Sequence, residues 1–269
     1  MHILPARQHP FRPVPLRIVS LAPSVTSILL SIGVGRELVG VSKWCRHVAR
    51  VGSRPTVGDC WKLDVDEVTR LRPTHVIGSV PFATEAVEKI LRQPFIFLAL
   101  NPRKLADVET DILTLGRVAA KVPQSRLLVA RMRSAFERVT VRSGTLLRHS
   151  SPLRVYSEAW PKPRISSPPW VAELLELVGA EMCVPAGSRV TDAEVAAASP
   201  DVILLAWTTA NSRSRISTAL ENPGWRRVPA ILNRRVFAIR DEWLNTPGPP
   251  LVHGARAILK SLTASTERS

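Results

Sequence analysis

The stretch Lys104–Arg142, KLADVETDILTLGRVAAKVPQSRLLVARMRSAFERVTVR, decides the fold. Between Lys104 and Ala120, apolar residues fall at Leu105, Val108, Ile112, Leu115 and Ala119. That is the spacing of one helix face. Pro123 interrupts it, and Leu128, Met132, Phe136 and Val139 resume the period. The stretch reads as helix without a strand, and Ser143-Gly144 and the polar residues near Ser150 close it. Both flanks read differently. Upstream, Arg17–Ala22 (RIVSLA), Glu37–Ser42 (ELVGVS), His75–Ser79 and Phe95–Leu100 (FIFLAL) read as strands, the last as a buried one. Between them lie helices: Val25–Ile32 with Ser24 as N-cap and Gly33 as stop, Asp64–Leu71 capped by Asp64, and Thr84–Leu91. Downstream, Leu153–Ala159, Asp201–Trp207 and Arg235–Arg240 read as strands, and Val171–Val178, Asp192–Ala198 and Leu251–Leu262 as helices.

Strands alternating with helices imply parallel α/β sheets. The chain therefore divides into an irregular Pro-rich arm at 1–16, an α/β lobe at 17–103, a helical segment at 104–150, an α/β lobe at 151–264 and a tail at 265–269. The lobes echo each other. Glu67-Val68, Pro73 and Val76-Ile77 find a counterpart in Glu194-Val195, Pro200 and Val202-Ile203. Two similar lobes bridged by helix make a clamshell, whose cleft is a natural ligand site.

Composition narrows the function. The 269 residues carry 37 Lys+Arg against 22 Asp+Glu, a net charge of +15. Such a balance invites a nucleic-acid reading. Yet only seven of the basic residues are lysines, and the arginines are scattered from Arg7 to Arg268 rather than clustered on one run. Nucleic acid is therefore not an expected partner. Three cysteines without a CxxC pair make neither a disulfide framework nor a zinc finger, although a Cys45–Cys60 bridge stays open. No run approaches the ~18–20 apolar residues of a membrane span. The N-terminal MHILPARQHPFRPVPLR lacks the apolar core of ~7–15 residues that a secretory signal carries, which points to the cytoplasm.

Catalytic signatures are missing from the sequence: there is no GxSxG, HExxH, P-loop or GxGxxG. Asp64, Asp66 and Glu67 read as helix capping and a solvated face, and Cys45, His47 and Cys60 lack a fourth ligand at a telling spacing. The seven tryptophans stand out beside one tyrosine and six phenylalanines. Trp44, Trp160, Trp207 and Trp243 each follow a strand, where parallel sheets bind ligands. Loop packing is the plain alternative for any one of them.

In order along the chain stand RIVSLAPSVTS (Arg17–Ser27), ELVGVSKWC (Glu37–Cys45), Val57-Gly58, YSEAWPKP (Tyr156–Pro163), PDVILLAW (Pro200–Trp207), NPGW (Asn222–Trp225) and TPGPPLVHG (Thr246–Gly254). This series resembles the cobalamin-type branch of the class III, helical-backbone substrate-binding proteins, the vitamin B12 and iron–siderophore receptors of ABC importers. The resemblance implies two Rossmann-like lobes joined by one long helix at about Pro123–Arg142, and a stiff monomeric clamshell. It implies an extracytoplasmic location, against the reading of the N-terminus. Between the lobes such a protein binds a corrinoid without chemistry and without an intrinsic cofactor or metal. By motif position Pro23, Ser24, Trp44 and Trp61 would line the first lobe, and Trp160, Trp170, Trp207 and Trp243 the second. Acidic residues on each lobe would meet arginines of an ABC permease, here Asp66 and Glu67 on one and Asp192 and Glu194 on the other. The alternatives are a ferric siderophore or haem in the same fold, or a cytoplasmic chelatase-like enzyme of tetrapyrrole or corrinoid handling.

Overall fold

The computed structural model describes residues 14–146, 151–207 and 212–264. The arm expected at 1–16 lies outside them except for residues 14–16, as does the tail at 265–269. In the first lobe, β1 (Ile18–Ser20), β2 (Leu38–Ser42), β3 (Thr56–Val57), β4 (His75–Ser79) and β5 (Ile96–Leu100) form a five-stranded sheet in the order β3-β2-β1-β4-β5. Every pairing in it is parallel. Helices α1 (Pro23–Ser31), α2 (Val65–Arg70) and α3 (Thr84–Leu91) make the connections.

Two helices follow, α4 (Leu105–Val118) and α5 (Val122–Leu146). The second lobe then runs β6 (Leu153–Pro161), β7 (Arg164–Ser166), α6 (Pro169–Glu176), β8 (Ala180–Met182), α7 (Asp192–Ala197) and β9 (Val202–Leu205). It ends with α8 (Ser212–Leu220), α9 (Pro229–Leu232), β10 (Val236–Ala238), α10 (Asp241–Leu244) and α11 (Leu251–Thr263). Its sheet has the order β10-β9-β6-β7, with β8 paired to β6. Only the β6–β7 pairing is antiparallel.

The helical segment behaves as its period demands, with one shift. Pro123 does not break the helix but sits in the first turn of α5, where its missing N–H costs no hydrogen bond. The chain turns instead at Ala119–Lys121, where Ala120 takes φ 53°. Gly116 lets the two helices meet: a Cβ there would lie 2.1 Å from Ser125 Oγ. α4 packs on α1 of the first lobe and α5 on α11 of the second, so the pair carries the chain across.

One apolar cluster runs through both lobes, from Ile18, Ile28 and Ile77 to Val155, Leu204, Leu244 and Leu251. Gly248, in the TPGPP segment, packs on Ile28 of α1. A shared core with close packing resists opening more than a bare hinge does. Two smaller elements of the sequence reading change. β5 is an edge strand rather than a buried one, with Ile96 60% exposed. α1 starts at Pro23, with Ala22 rather than Ser24 at the N-cap. Proline at the first helical position is already set at the helical φ, which moves the start two residues back. Among the described residues no helix is long and apolar enough to cross a membrane.

Candidate ligand-binding cleft

In the first sheet the chain order reverses between β1 and β4, and open parallel sheets bind ligands beyond the carboxyl ends of their strands at such a point. A cavity of about 300 Å³ lies there. Leu21–Ser24 leave β1 into it, Ser79–Pro81 leave β4, Trp44 follows β2, and Asp59–Trp61 follow β3. The second lobe closes it with Trp170 at the start of α6 and with Asn245–Pro247. Of the residues singled out in the sequence, the fold brings Pro23, Ser24, Trp44, Trp61 and Trp170 together around this cavity.

The first lobe's wall hangs on one carboxylate. Asp59 Oδ2 accepts from the Trp44 indole at 2.7 Å, and Oδ1 accepts from the backbone N–H of Trp61 at 3.1 Å and of Lys62 at 3.0 Å. Lys43 Nζ stands 3.6 Å from Oδ2 and over the Trp44 ring. Burial alone would push the Asp59 carboxyl up, but the Trp44 indole, the two backbone N–H groups and Lys43 together hold it below the ordinary value. The loop needs Gly58: a Cβ there would lie 2.0 Å from the Lys62 carbonyl oxygen. The indoles themselves stay open, with Trp44 41% and Trp61 65% exposed.

Two further features set the cleft's polarity. α1 carries no side-chain cap, and Pro23 and Ser24 of its first turn line the cavity, so the positive end of the helix lies at the wall. Cys60 points its thiol at the carbonyl oxygens of Leu21 and Ser79, and burial pushes its pKa up to about 11, so it is a neutral donor. In the second lobe Trp170 Nε1 donates to Leu244 O at 2.8 Å. Asn245 Nδ2 donates to Ala206 O and Asp241 Oδ1, which fixes its Oδ1 as an acceptor, buried and without a partner among the described residues.

The other predicted residues lie elsewhere. Trp207 was expected in the cleft, but it is 8% exposed and packs into the second lobe's own core. The residue leaving the central strand β9 is covered by the surrounding helices. Trp160 is exposed, its indole donating to Lys162 O, and does not line the cavity. Trp243 lines a neighbouring hollow of about 260 Å³, where its ring stacks on His253 and Arg240 lies over it. His47 borders the same hollow. The three cysteines are free, so the Cys45–Cys60 bridge is not formed. Cys45 is turned into the core, where Thr26 Oγ1 donates to its sulfur at 3.0 Å. Asp66 and Glu67 sit exposed in the first turn of α2, and Asp192 and Glu194 in the first turn of α7. α2 leads into β4 and α7 into β9, each beside the strand that opens its lobe, which is the structural form of the sequence echo. The second pair is already engaged, Asp192 with Arg164 at 2.8 Å and Glu194 with the Thr191 hydroxyl and N–H.

Sequence reasoning missed Asp59, Ser79–Pro81 and Asn245–Pro247. The loop after β4 could have been named from the strand-end rule alone. Asp59 and Asn245 are recognisable only by what they hold.

A model of the family described as "Periplasmic binding protein" matches residues 18–243. The chain belongs to the periplasmic binding protein family. Members of this family serve as substrate-binding components of transport systems, not as enzymes. An uncharacterised ABC transporter substrate-binding lipoprotein of Bacillus subtilis, YvrC, is 23% identical over 94% of this chain and 81% of its own length. The vitamin B12-binding protein of Vibrio cholerae is 23% identical over 87% of this chain and 84% of its own. Among solved structures, a periplasmic heme-binding protein of Pseudomonas aeruginosa superposes with a TM-score of 0.82 at 20% identity, over 92% of both chains. The two lobes and the long helix are thus the class III periplasmic-binding fold, and the chain is a substrate-binding protein of that family.

Proposed function

We propose that this binding protein takes a corrinoid of the cobalamin type into the cleft and delivers it to an ABC-type importer outside the cytoplasm. The observation that carries the reading is the chemistry of the cavity wall. Trp44, Trp61 and Trp170 offer flat apolar faces. Around them stand neutral polar residues, Ser24, Ser79, Asn245 and Thr246, and the first turn of α1. The one carboxylate, Asp59, is already paired. A corrin is broad and apolar on its faces and carries primary amides at its rim, so indoles cover the ring while neutral groups meet the amides.

Haem is the competing ligand, and its iron is held by a His, Cys, Met or Tyr side chain. The described cavity wall holds neither His nor Tyr, its cysteine is neutral, and the chain's only tyrosine, Tyr156, is fully buried against Glu158. Cobalamin brings its own axial ligands and makes no such demand. Asp66, Glu67, Asp192 and Glu194 are the proposed permease-docking carboxylates of the two lobes.

Titration of the purified chain with cyanocobalamin, followed by tryptophan fluorescence and the corrin absorption bands, tests the reading. Saturable binding at micromolar ligand is the expected result. Trp44→Ala and Trp61→Ala should each weaken it by about 1–3 kcal/mol, the range of a lost aromatic anchor. Saturable hemin binding with no response to the corrinoid would overturn it.

A further inference from the structure

Four basic residues from two helices meet at one hollow on the folded surface. Between α5 and α11 lies a hollow of about 440 Å³ whose rim carries Arg138, Arg142, Arg256 and Lys260. All four are exposed, while Val139 and Leu259 form a buried apolar floor and half-exposed Leu146 lies at one end. Arg138 and Arg142 are four residues apart on α5, as are Arg256 and Lys260 on α11. Like charges at that spacing repel along their own helix, and here the two pairs also face each other across one groove. Among the described residues none of the four is paired with a carboxylate, and Arg138 reaches only the Ser134 hydroxyl of its own helix. Glu137, the acidic residue of this part of α5, borders a different hollow together with Glu109 and Arg133. α11 contains no acidic residue.

We propose that this groove docks the protein on the anionic phospholipid headgroups of a membrane surface. Four cations around an apolar floor match a phosphate with hydrocarbon beneath it. A chain of net charge +15 is drawn to such a surface from a distance, and the groove gives the attraction a fixed orientation. None of the groove residues lines the binding cleft.

Co-sedimentation with vesicles tests this, using phosphatidylglycerol mixed with phosphatidylcholine against phosphatidylcholine alone. The wild-type chain should bind the mixed vesicles only, and less as salt shortens the screening length. Each cation near an anionic surface contributes roughly fivefold, so Arg142→Glu/Arg256→Glu should lower vesicle binding by more than about 25-fold. The control Arg226→Glu/Arg227→Glu changes net charge equally at exposed residues elsewhere and should retain most of the binding. Arg138→Gln/Lys260→Gln provides a milder second variant should the reversals disturb folding. Cyanocobalamin titration should be unchanged in all of them, which separates failure here from failure of the corrinoid reading. Equal losses in both charge-reversed variants would show that net charge alone acts and overturn the proposal. So would an absence of vesicle binding, or groove-dependent binding of inorganic phosphate or duplex DNA that outcompetes the vesicles.

Discussion

Asp59→Ala should weaken ligand binding by releasing the two indoles that Asp59 positions. Asp59 ties Trp44 through its indole and Trp61 through its backbone, and both rings are exposed enough to move once released. Re-immobilising a freed side chain on binding costs about 0.5–1.5 kcal/mol, so two of them cost about 1–3 kcal/mol. That corresponds to a Kd about 5- to 150-fold higher. Fluorescence titration with cyanocobalamin reads it, beside a urea denaturation curve that checks the fold. Asp59→Asn keeps an acceptor oxygen but loses the charge, and should fall between. The carboxyl is held below its ordinary 3.8, so its contribution is whole above that value and is lost as pH falls through the lower, folded one. Affinity should therefore stay level from neutral pH down to about pH 5. An Asp59→Ala affinity within twofold of wild type, or a decline beginning well above pH 5, would refute the positioning role.

Further expectations concern stability and reactivity. Arg164→Met should destabilise the protein by about 3–5 kcal/mol in urea unfolding, because it strands the buried Glu158 carboxylate that also receives the Tyr156 hydroxyl at 2.8 Å. A change under 1 kcal/mol would remove that network from the account. Gly58→Ala should both lower the urea midpoint and weaken corrinoid binding, since its Cβ collides with backbone in the loop that carries Asp59 and Trp61. An unchanged affinity would detach the loop from the cleft. Cys60, with its thiol pushed up to about 11, should be alkylated by iodoacetamide at pH 8 more than about 50-fold more slowly than a free thiol, and at normal rates after unfolding.

The helical period of Leu105, Val108, Ile112 and Leu115 and the strand–helix alternation on both sides were legible because apolar spacing is a local property of the chain. Asp64 as a cap was legible for the same reason, and it accepts from the Asp66 and Glu67 N–H groups. The short strands β3, β7 and β8 were not, because two or three residues form a strand only when a neighbour supplies the partners. The tryptophans show the same division. Their positions after strands placed Trp44 near the cleft, yet the same rule named Trp207, which the fold buries in the core.

The sequence by itself determined two α/β lobes, the helices between them and an aromatic set suited to a flat ligand, since each of these rests on residue type and short-range spacing. Only the tertiary structure decided which tryptophans meet around one cavity, that Asp59 holds two of them, and that a diffuse arginine excess gathers four cations on one groove. Those are relations between residues far apart in the chain, and only packing brings them together.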